Sequence, residues 1–518
     1  MSTEHRRTAR GVLALAMLLT PTALVHAQWR TTTGVDLGET YSDNVNRQPS
    51  SRAQENWGTE ISPWLRGAGQ SARLNGSLDL RVQNWINSNT ANRSALRGHA
   101  SGTLAVVEDH LDVDGGVSRD RQQVSQFSAP DASYATPSNS TEVTRTWASP
   151  VLYTRFGNAG YVAARYRFEN VDSERSELSG QNSTATLDIA NGAAFGRLGW
   201  GFSGRHYSTT AKATQATSSD SYNGSLTYAV TPEMTATLFG GQEFNDYSGG
   251  QRQHTWNWGA GLKWQPTERT TLNAQTTKRF FGRGFSYGVS QRWRRSVFDW
   301  SYERDVNSFS NTASRNGLMK NPAVDTIYSA AYTAALALVP ASITDPFERE
   351  TYALLILQGA GIPALLPNTS GYLSSQTYTD KRMRLAWRIE GQRNLVSLSG
   401  YTSDRETLTQ QILTSSATGS SDDLIQFSRV KQRGWSVDWR HDLSARTSTS
   451  LRYGYTDTSG YANNGARTTT HVSILGLSLS NRLGVNTTGV LSVTRTQSRG
   501  AGADYRENAI SATLSHRF

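Results

Sequence analysis

The sequence predicts an all-β fold: a large antiparallel transmembrane β-barrel of about 22 strands (range about 18 to 24), with one helical insertion in a loop. Three observations predict it. Apolar and polar residues alternate with period 2 over stretches of about ten residues, turn signals alternate between short and long, and the composition is aromatic-rich but weakly apolar. Of 518 residues only 36% are apolar even with Tyr counted, while Gly (45), Tyr (21) and Trp (14) are plentiful. Counting Gly in place of Tyr gives about 41%, below the about 45–50% usual for globular chains. Aromatics at 10% are too many for a disordered chain. The lack of cysteine excludes disulfide scaffolds, thiol catalysis and thiolate metal sites. A cytosolic P-loop or dinucleotide enzyme is excluded as well.

The chain opens on an export signal. Arg6, Arg7 and Arg10 form a positive region, Gly11 to Leu19 a short apolar one, and Val25-His26-Ala27 a cleavage site. Residues 1–27 therefore read as a cleaved signal peptide and residues 28–518 as the barrel. The apolar run is shorter than the ~20 residues of a spanning helix. The leader holds three Arg and one Glu, so the mature chain keeps +8 of the +10 net charge.

Strand by strand, the alternation is explicit. Met383, Leu385, Trp387 and Ile389 share one face of their segment, and Arg382, Arg384 and Arg388 the other. Phe298, Trp300 and Tyr302 alternate with Asp299, Ser301 and Glu303; Trp435, Val437 and Trp439 alternate with Ser436, Asp438 and Arg440. Short turns are expected at Gly67–Gln70, Glu108–His110, Gly157–Gly160, Gly196–Gly199, Thr231–Glu233, Gln265–Glu268, near Arg295-Ser296, and at Gly391–Arg393, Leu443–Arg446 and Asn481–Gly484. Longer polar loops are expected at Ser42–Asn56, Gln122–Thr141, Thr209–Ser219 and Glu406–Gln426. Short periplasmic turns and long external loops are how outer-membrane barrels are built, and the short turns set the figure of about 22 strands.

One segment, 307–378, breaks the pattern. Val324, Ile327, Tyr328, Ala331, Ala335 and Leu338 fall at helical spacing. Asp345 can cap a second helix, with Pro346 at its first position, Glu348 completing the cap and Gly359 ending it. Tyr352 to Leu357 is apolar on every side, so this helical insertion is expected over or inside the external mouth, where it would control permeability.

The last strand alternates to the end: Ile510, Ala512, Leu514, His516 and Phe518 share a face. With Ile510, Leu514 and a terminal Phe518, it resembles the signal that the barrel-assembly machinery reads on its clients, although His516 stands where an aromatic is usual. Leu37-Gly38-Glu39-Thr40-Tyr41-Ser42-Asp43-Asn44-Val45, Ile61-Ser62-Pro63, Asp345-Pro346-Phe347-Glu348-Arg349 and Phe518 together resemble the outer-membrane β-barrel family associated with PEP-CTERM/exosortase systems. The resemblance implies an outer-membrane location and a link to envelope or extracellular polysaccharide, and carries no catalytic residues.

Motifs for chemistry are weak. Gly284-Phe285-Ser286-Tyr287-Gly288 matches a nucleophile-elbow string but lies in an alternating strand rather than a strand-to-helix turn. Asp112-Val113-Asp114-Gly115 has the wrong spacing for a calcium loop. Of nine histidines, two are in the leader and none of the rest makes a His-x-x-x-His pair, so no metal site and no cofactor are expected. The basic residues are more informative. If the apolar faces meet lipid, Arg292, Arg294, Arg382, Arg384 and Arg388 point into the lumen beside Asp299 and Glu303. They form either a self-neutralising wall or an electropositive strip for anionic solutes or acidic polysaccharide. Dispersed charge on an exported chain argues against nucleic acid.

The expected function is a non-enzymatic conduit or accessory for envelope or exopolysaccharide export. Its expected partners are outer-membrane lipid, the barrel-assembly machinery, and exopolysaccharide or its export proteins. One alternative is a barrel enzyme acting on lipid or polysaccharide. Another is a gated solute receptor or porin; a siderophore-type receptor usually carries an N-terminal plug of over about a hundred residues, whereas here alternation starts at about Thr31.

Overall fold

The computed structural model describes residues 28–128, 139–191, 196–212, 216–247, 252–307, 374–408, 422–500 and 504–518. Within them, 22 antiparallel strands form one sheet whose last strand pairs with its first, closing a barrel. In chain order these are β1 (Gln28–Ser42), β2 (Asn56–Gln70), β3 (Leu74–Asn87), β4 (Arg93–Val107), β5 (Leu111–Gln123), β6 (Ser140–Arg155), β7 (Gly160–Ser173) and β8 (Gly180–Asn191). They continue with β9 (Leu198–Ala211), β10 (Thr217–Thr231), β11 (Met234–Asn245), β12 (Gln253–Thr267), β13 (Thr270–Arg279), β14 (Gly282–Arg292) and β15 (Ser296–Asn307). The last seven are β16 (Tyr378–Glu390), β17 (Asn394–Thr407), β18 (Arg429–Asp442), β19 (Thr447–Tyr461), β20 (Arg467–Arg482), β21 (Thr487–Gly500) and β22 (Tyr505–Arg517).

Alternation becomes a two-faced wall because successive side chains point to opposite sides of a strand. On β1, Asp36, Thr40 and Ser42 are buried, while Leu37 between them is 43% exposed. Register carries this to the neighbour: Asp36 lies opposite Ser62, also buried, and Leu37 opposite Ile61, 41% exposed. The buried polar set faces the lumen and the exposed apolar set faces outward. That is the reverse of a water-soluble core and the expected order for a wall surrounded by lipid. No described helix is long and apolar enough to cross a membrane, so the strands carry the apolar band.

The sequence-predicted turns lie where expected to within a few residues, with two informative differences. Gly67–Gln70 is not a turn: it continues β2, paired with Thr31 through Gln28. Glycine permits this because the Trp29 ring lies where a Cβ on Gly69 would sit. The expected loop Thr209–Ser219 shrinks, since β9 runs through Ala211 and β10 begins at Thr217. At the same end of the barrel β13 and β14 join through Phe280-Phe281 alone, so the rim there is low. The expected signal peptide and the body of the expected 307–378 insertion lie outside the described residues. The roots of the insertion, Asn307 and Tyr378, pair with each other at the long-loop end.

Tyr41-Ser42-Asp43-Asn44 has a structural task at the seam between β1 and β22. Ser42 Oγ donates to Glu507 Oε1 at 2.8 Å, and Asn508 donates to Asp43 from its backbone N at 2.7 Å and its Nδ2 at 2.6 Å. Asn44 Nδ2 donates to the Arg506 carbonyl at 3.0 Å, and Arg47 Nε pairs with Glu507 at 2.7 Å. Deeper in the lumen Ser515 Oγ donates to Asp36 at 2.6 Å. A polar run after the first strand is thus the latch that closes the barrel.

Candidate functional site: the lumen wall and a strap across the mouth

Register decides where the predicted basic strip goes. Arg382 on β16 lies opposite Glu303 on β15, both lumen-facing. Arg382 is buried, donates to Glu303 Oε1 through Nε at 2.8 Å and again through Nη2, and has Nη1 3.5 Å from Asp380. Its charge is spent on the wall. Arg384 lies opposite Ser301, and Arg388 opposite Val297 with a guanidinium nitrogen 3.9 Å from Glu390. Arg292 also lies opposite Val297, from the other side, so Arg292 and Arg388 flank Val297 near the short-turn end. Arg294 falls in the turn 293–295, beyond the end of β14, and is not on a strand face.

The pairing of Arg382 is one case of a wider lattice. Arg81 pairs with Asp36 at 2.9 Å, Arg145 with Glu169 at 2.9 Å, and Arg279 on β13 with Glu243 on β11 at 2.5 Å. Arg145, Asp36 and Glu243 are almost wholly buried, so each charge depends on its partner to avoid a large desolvation cost. Pairs that link strands across the barrel wall hold its curvature as well as its charge.

The second feature crosses the mouth. After β5 the chain leaves the wall, and residues 124–128 reach the α1 helix (Asp423–Gln426) in the loop between β17 and β18. Around the barrel, twelve strands (β6 to β17) separate these two places one way and ten (β18 to β22 and β1 to β5) the other, so they are nearly opposite. Ser125 Oγ donates to Asp423 Oδ1 at 2.6 Å and the Gln126 backbone N to Oδ2 at 2.7 Å. Gln432 Nε2 on β18 donates to Gln126 Oε1 at 2.7 Å. The Phe127 ring packs on Phe427 with centroids 4.8 Å apart, in a cluster with Tyr378, Leu424 and Val430. Gly460 on β19 is required beneath it, because a Cβ there would meet both phenyl rings at 2.7 to 2.8 Å. Residues 124–128 form a strap from one wall to the other.

Asp422 fixes the far anchor. Its carboxylate accepts from Ser374 Oγ at 3.0 Å, Ser375 N at 2.7 Å, Ser375 Oγ at 2.9 Å and Leu424 N at 3.0 Å. The adjacent carboxylates therefore gather three loops: Asp422 caps α1 and holds the C-terminal root of the insertion, while Asp423 holds the strap. Burial pushes the Asp422 carboxyl above its ordinary range, against the bonds it accepts. Burial likewise pushes Asp423 to about 7, aided by the neighbouring Asp422 charge and opposed by Gln126, Ser125 and the Arg405 guanidinium. Sequence reasoning missed both residues. The available signal was Asp422-Asp423 before Leu424-Ile425, an acidic cap ahead of apolar residues inside a polar loop.

The residues of the expected assembly signal all face outward at the seam. Ile510 lies opposite Tyr41 and Leu514 opposite Leu37. Phe518 is 73% exposed, and its backbone N donates to the Thr33 carbonyl at 2.9 Å. Among the described residues no group of three or more His, Asp or Glu could hold a metal ion.

No family model matches the chain, and neither does any curated protein. Solved structures do. The apoprotein form of the FrpB iron transporter from Neisseria meningitidis is 9% identical, aligns with a TM-score of 0.51, and covers 94% of this chain and 81% of its own. A second structure of that transporter gives 10% identity, a TM-score of 0.50, and coverage of 94% and 82%. A mutant ferric enterobactin receptor from Pseudomonas aeruginosa aligns at 10% identity with a TM-score of 0.47, covering 95% of this chain and 81% of its own. The shared property is the fold: a large closed antiparallel barrel.

Proposed function

We propose that the protein is an outer-membrane barrel that passes a solute through a gated lumen, with the 124–128 strap as part of the gate. A round barrel of this strand number would enclose more space than its wall side chains can fill, and more than a 16- to 18-stranded porin, whereas here residues 124–128, at most about 17 Å long, bridge opposite walls at the mouth. Such a barrel needs something across it to avoid an open hole in the envelope. The observation that carries the reading is the strap itself, held between opposite walls by Asp423 and the Phe127–Phe427 contact. The fold likeness to an iron transporter supports this reading over the export conduit that the sequence resemblance put first. Ion pairing along the lumen leaves a wall that is polar but largely self-neutralised, suited to passage rather than to tight retention of one charge type.

A cysteine-free chain makes the test clean. Ser125→Cys together with Asp423→Cys places one thiol where Ser125 Oγ stands and the other near the Asp423 carboxyl carbon, one bond short of the Oδ1 that Oγ now meets at 2.6 Å. In planar bilayers the oxidised protein should conduct little, and a reductant should raise its conductance. Equal conductance before and after reduction would overturn the gate.

A further inference from the structure

We propose that the outer face of the barrel, at the long-loop end of β13 to β20, binds the phosphorylated sugar headgroup of a glycolipid in the surrounding leaflet. The inference rests on the membrane orientation proposed above. It begins with charges that face the wrong way for a lumen. Lys381 on β16 and Lys431 on β18 lie on the outward side, each across from Asp404 on β17 between them. Arg433 follows Lys431 on the same face, opposite Asp457 on β19, and Arg467 lies opposite Tyr461. Together they line a hollow of about 440 Å³ on the outside of the wall, floored by Met383, Tyr302 and Tyr461.

The two carboxylates in the hollow do not neutralise it. Asp404 is held by Arg429 at 2.5 Å and Asp457 by Arg433 at 2.7 Å, yet Arg433 remains 75% exposed. Among the described residues Lys381 and Lys431 have no carboxylate within ion-pair distance. Their ammonium groups sit over aromatic rings instead, 5.6 Å from Tyr302 and 5.4 Å from Tyr461, and the Arg467 guanidinium is 5.7 Å from Tyr461. Aromatic faces hold cations in place without cancelling their charge.

The neighbouring strands add a second observation. Arg304 lies directly opposite Lys381, and Lys278 directly opposite Arg283, on the same outward face. Like charges placed opposite one another on a sheet destabilise it, and an anion seated between them removes the cost. Among the described residues the other half of the barrel shows no such excess: its outward Arg119 and Arg252 lie beside Glu174 and Asp220. A leaflet of phosphorylated glycolipid has the complementary charge, lies at this height on the wall, and has acyl chains to cover the apolar band below.

The decisive measurement is native mass spectrometry of the delipidated, detergent-held protein titrated with a bis-phosphorylated glycolipid. The same lipid after dephosphorylation and inorganic phosphate as competitor are run beside it. Wild-type protein should retain the phosphorylated lipid, lose the dephosphorylated one, and ignore inorganic phosphate. Joint replacement Lys381→Gln, Lys431→Gln, Arg433→Gln and Arg467→Gln should weaken retention roughly a hundredfold or more, given the worth of each basic side chain at an anionic surface. The double variant Lys381→Gln with Lys431→Gln leaves no carboxylate stranded, so it keeps the fold and should lose about tenfold or more. Arg119→Gln with Arg252→Gln on the far wall should change nothing. Equal retention by wild type and the double variant, equal retention of the dephosphorylated lipid, or displacement by inorganic phosphate would each overturn the proposal. A protein absent from outer-membrane fractions would instead remove the orientation itself, a separate result.

Discussion

Raising the pH on the long-loop side should open the mouth, and Asp423 sets the pH window over which this happens. With the strap in place its carboxyl is pushed from an ordinary 3.8 to about 7, chiefly by burial. Once the strap lifts, water reaches the carboxyl and the ordinary value returns. The closed state therefore binds the proton more tightly, and closure is favoured wherever the proton is bound. That contribution is complete below about pH 4 and is lost as pH rises through about 7. At 1.36 kcal/mol for each pH unit between the two values, it is at most about 4 kcal/mol, roughly a thousandfold in the closing equilibrium. Asp422, raised for the same reason, acts in the same direction, while Arg405 opposes both by favouring the ionised form. Single-channel conductance in planar bilayers across this range should show opening that becomes more frequent as pH rises from about 4 to about 7 and levels off above it. Asp423→Asn removes the titrating charge but can still accept from the Gln126 N–H through its oxygen while its amide nitrogen donates to Ser125 Oγ, so its profile should flatten with the strap closed throughout. Opening that increases on acidification, or a D423N profile that matches wild type, would refute the reasoning.

Three further outcomes are expected. Leu385→Arg, at the middle of β16 and facing outward, should cost about 2–4 kcal/mol of folding free energy in lipid vesicles, measured by urea titration of heat-modifiable migration; a variant as stable as wild type would place this face away from lipid. Gly34→Val should lower the temperature of the heat-modifiable transition, by about 1–3 kcal/mol in stability, because a Cβ at position 34 runs into the Trp64 ring and the His516 carbonyl at the seam. Deleting Phe518 should slow insertion and leave protease-sensitive precursor in pulse-chase fractions, since it removes both the final aromatic and the bond to Thr33; unchanged kinetics would count against the assembly signal.

Strands were legible because lipid outside and polar groups inside impose period 2 on every segment, and Met383–Ile389 or Trp435–Trp439 could be read by eye. Turn positions were legible where Gly, Pro or Asn marks them, and failed at Gly67–Gln70, where glycine serves the Trp29 ring rather than a turn. The lumen strip was legible only in part. Alternation puts Arg382 on the same side as Glu303, but only register sets them opposite one another and neutralises the pair. The strap was not legible at all. Its bonds join Ser125 and Gln126 to Asp423 nearly three hundred residues away, and no local pattern encodes which loop tips will meet across an opening.

The seam carries a consequence for how the chain comes together. Every strand except one pair is joined to its neighbour through a loop, so each hairpin needs only a local search. β1 and β22 meet only when the two ends of the whole barrel find each other, and chain-closure entropy grows with that separation. Contacts so distant in sequence form late and slowly. The bonds of Ser42, Asp43, Asn44 and Arg47 to β22 can therefore form only once the first and last strands have met. The polar run after the first strand thus acts as a timing device: it makes the finished ring hard to reopen without holding back its assembly.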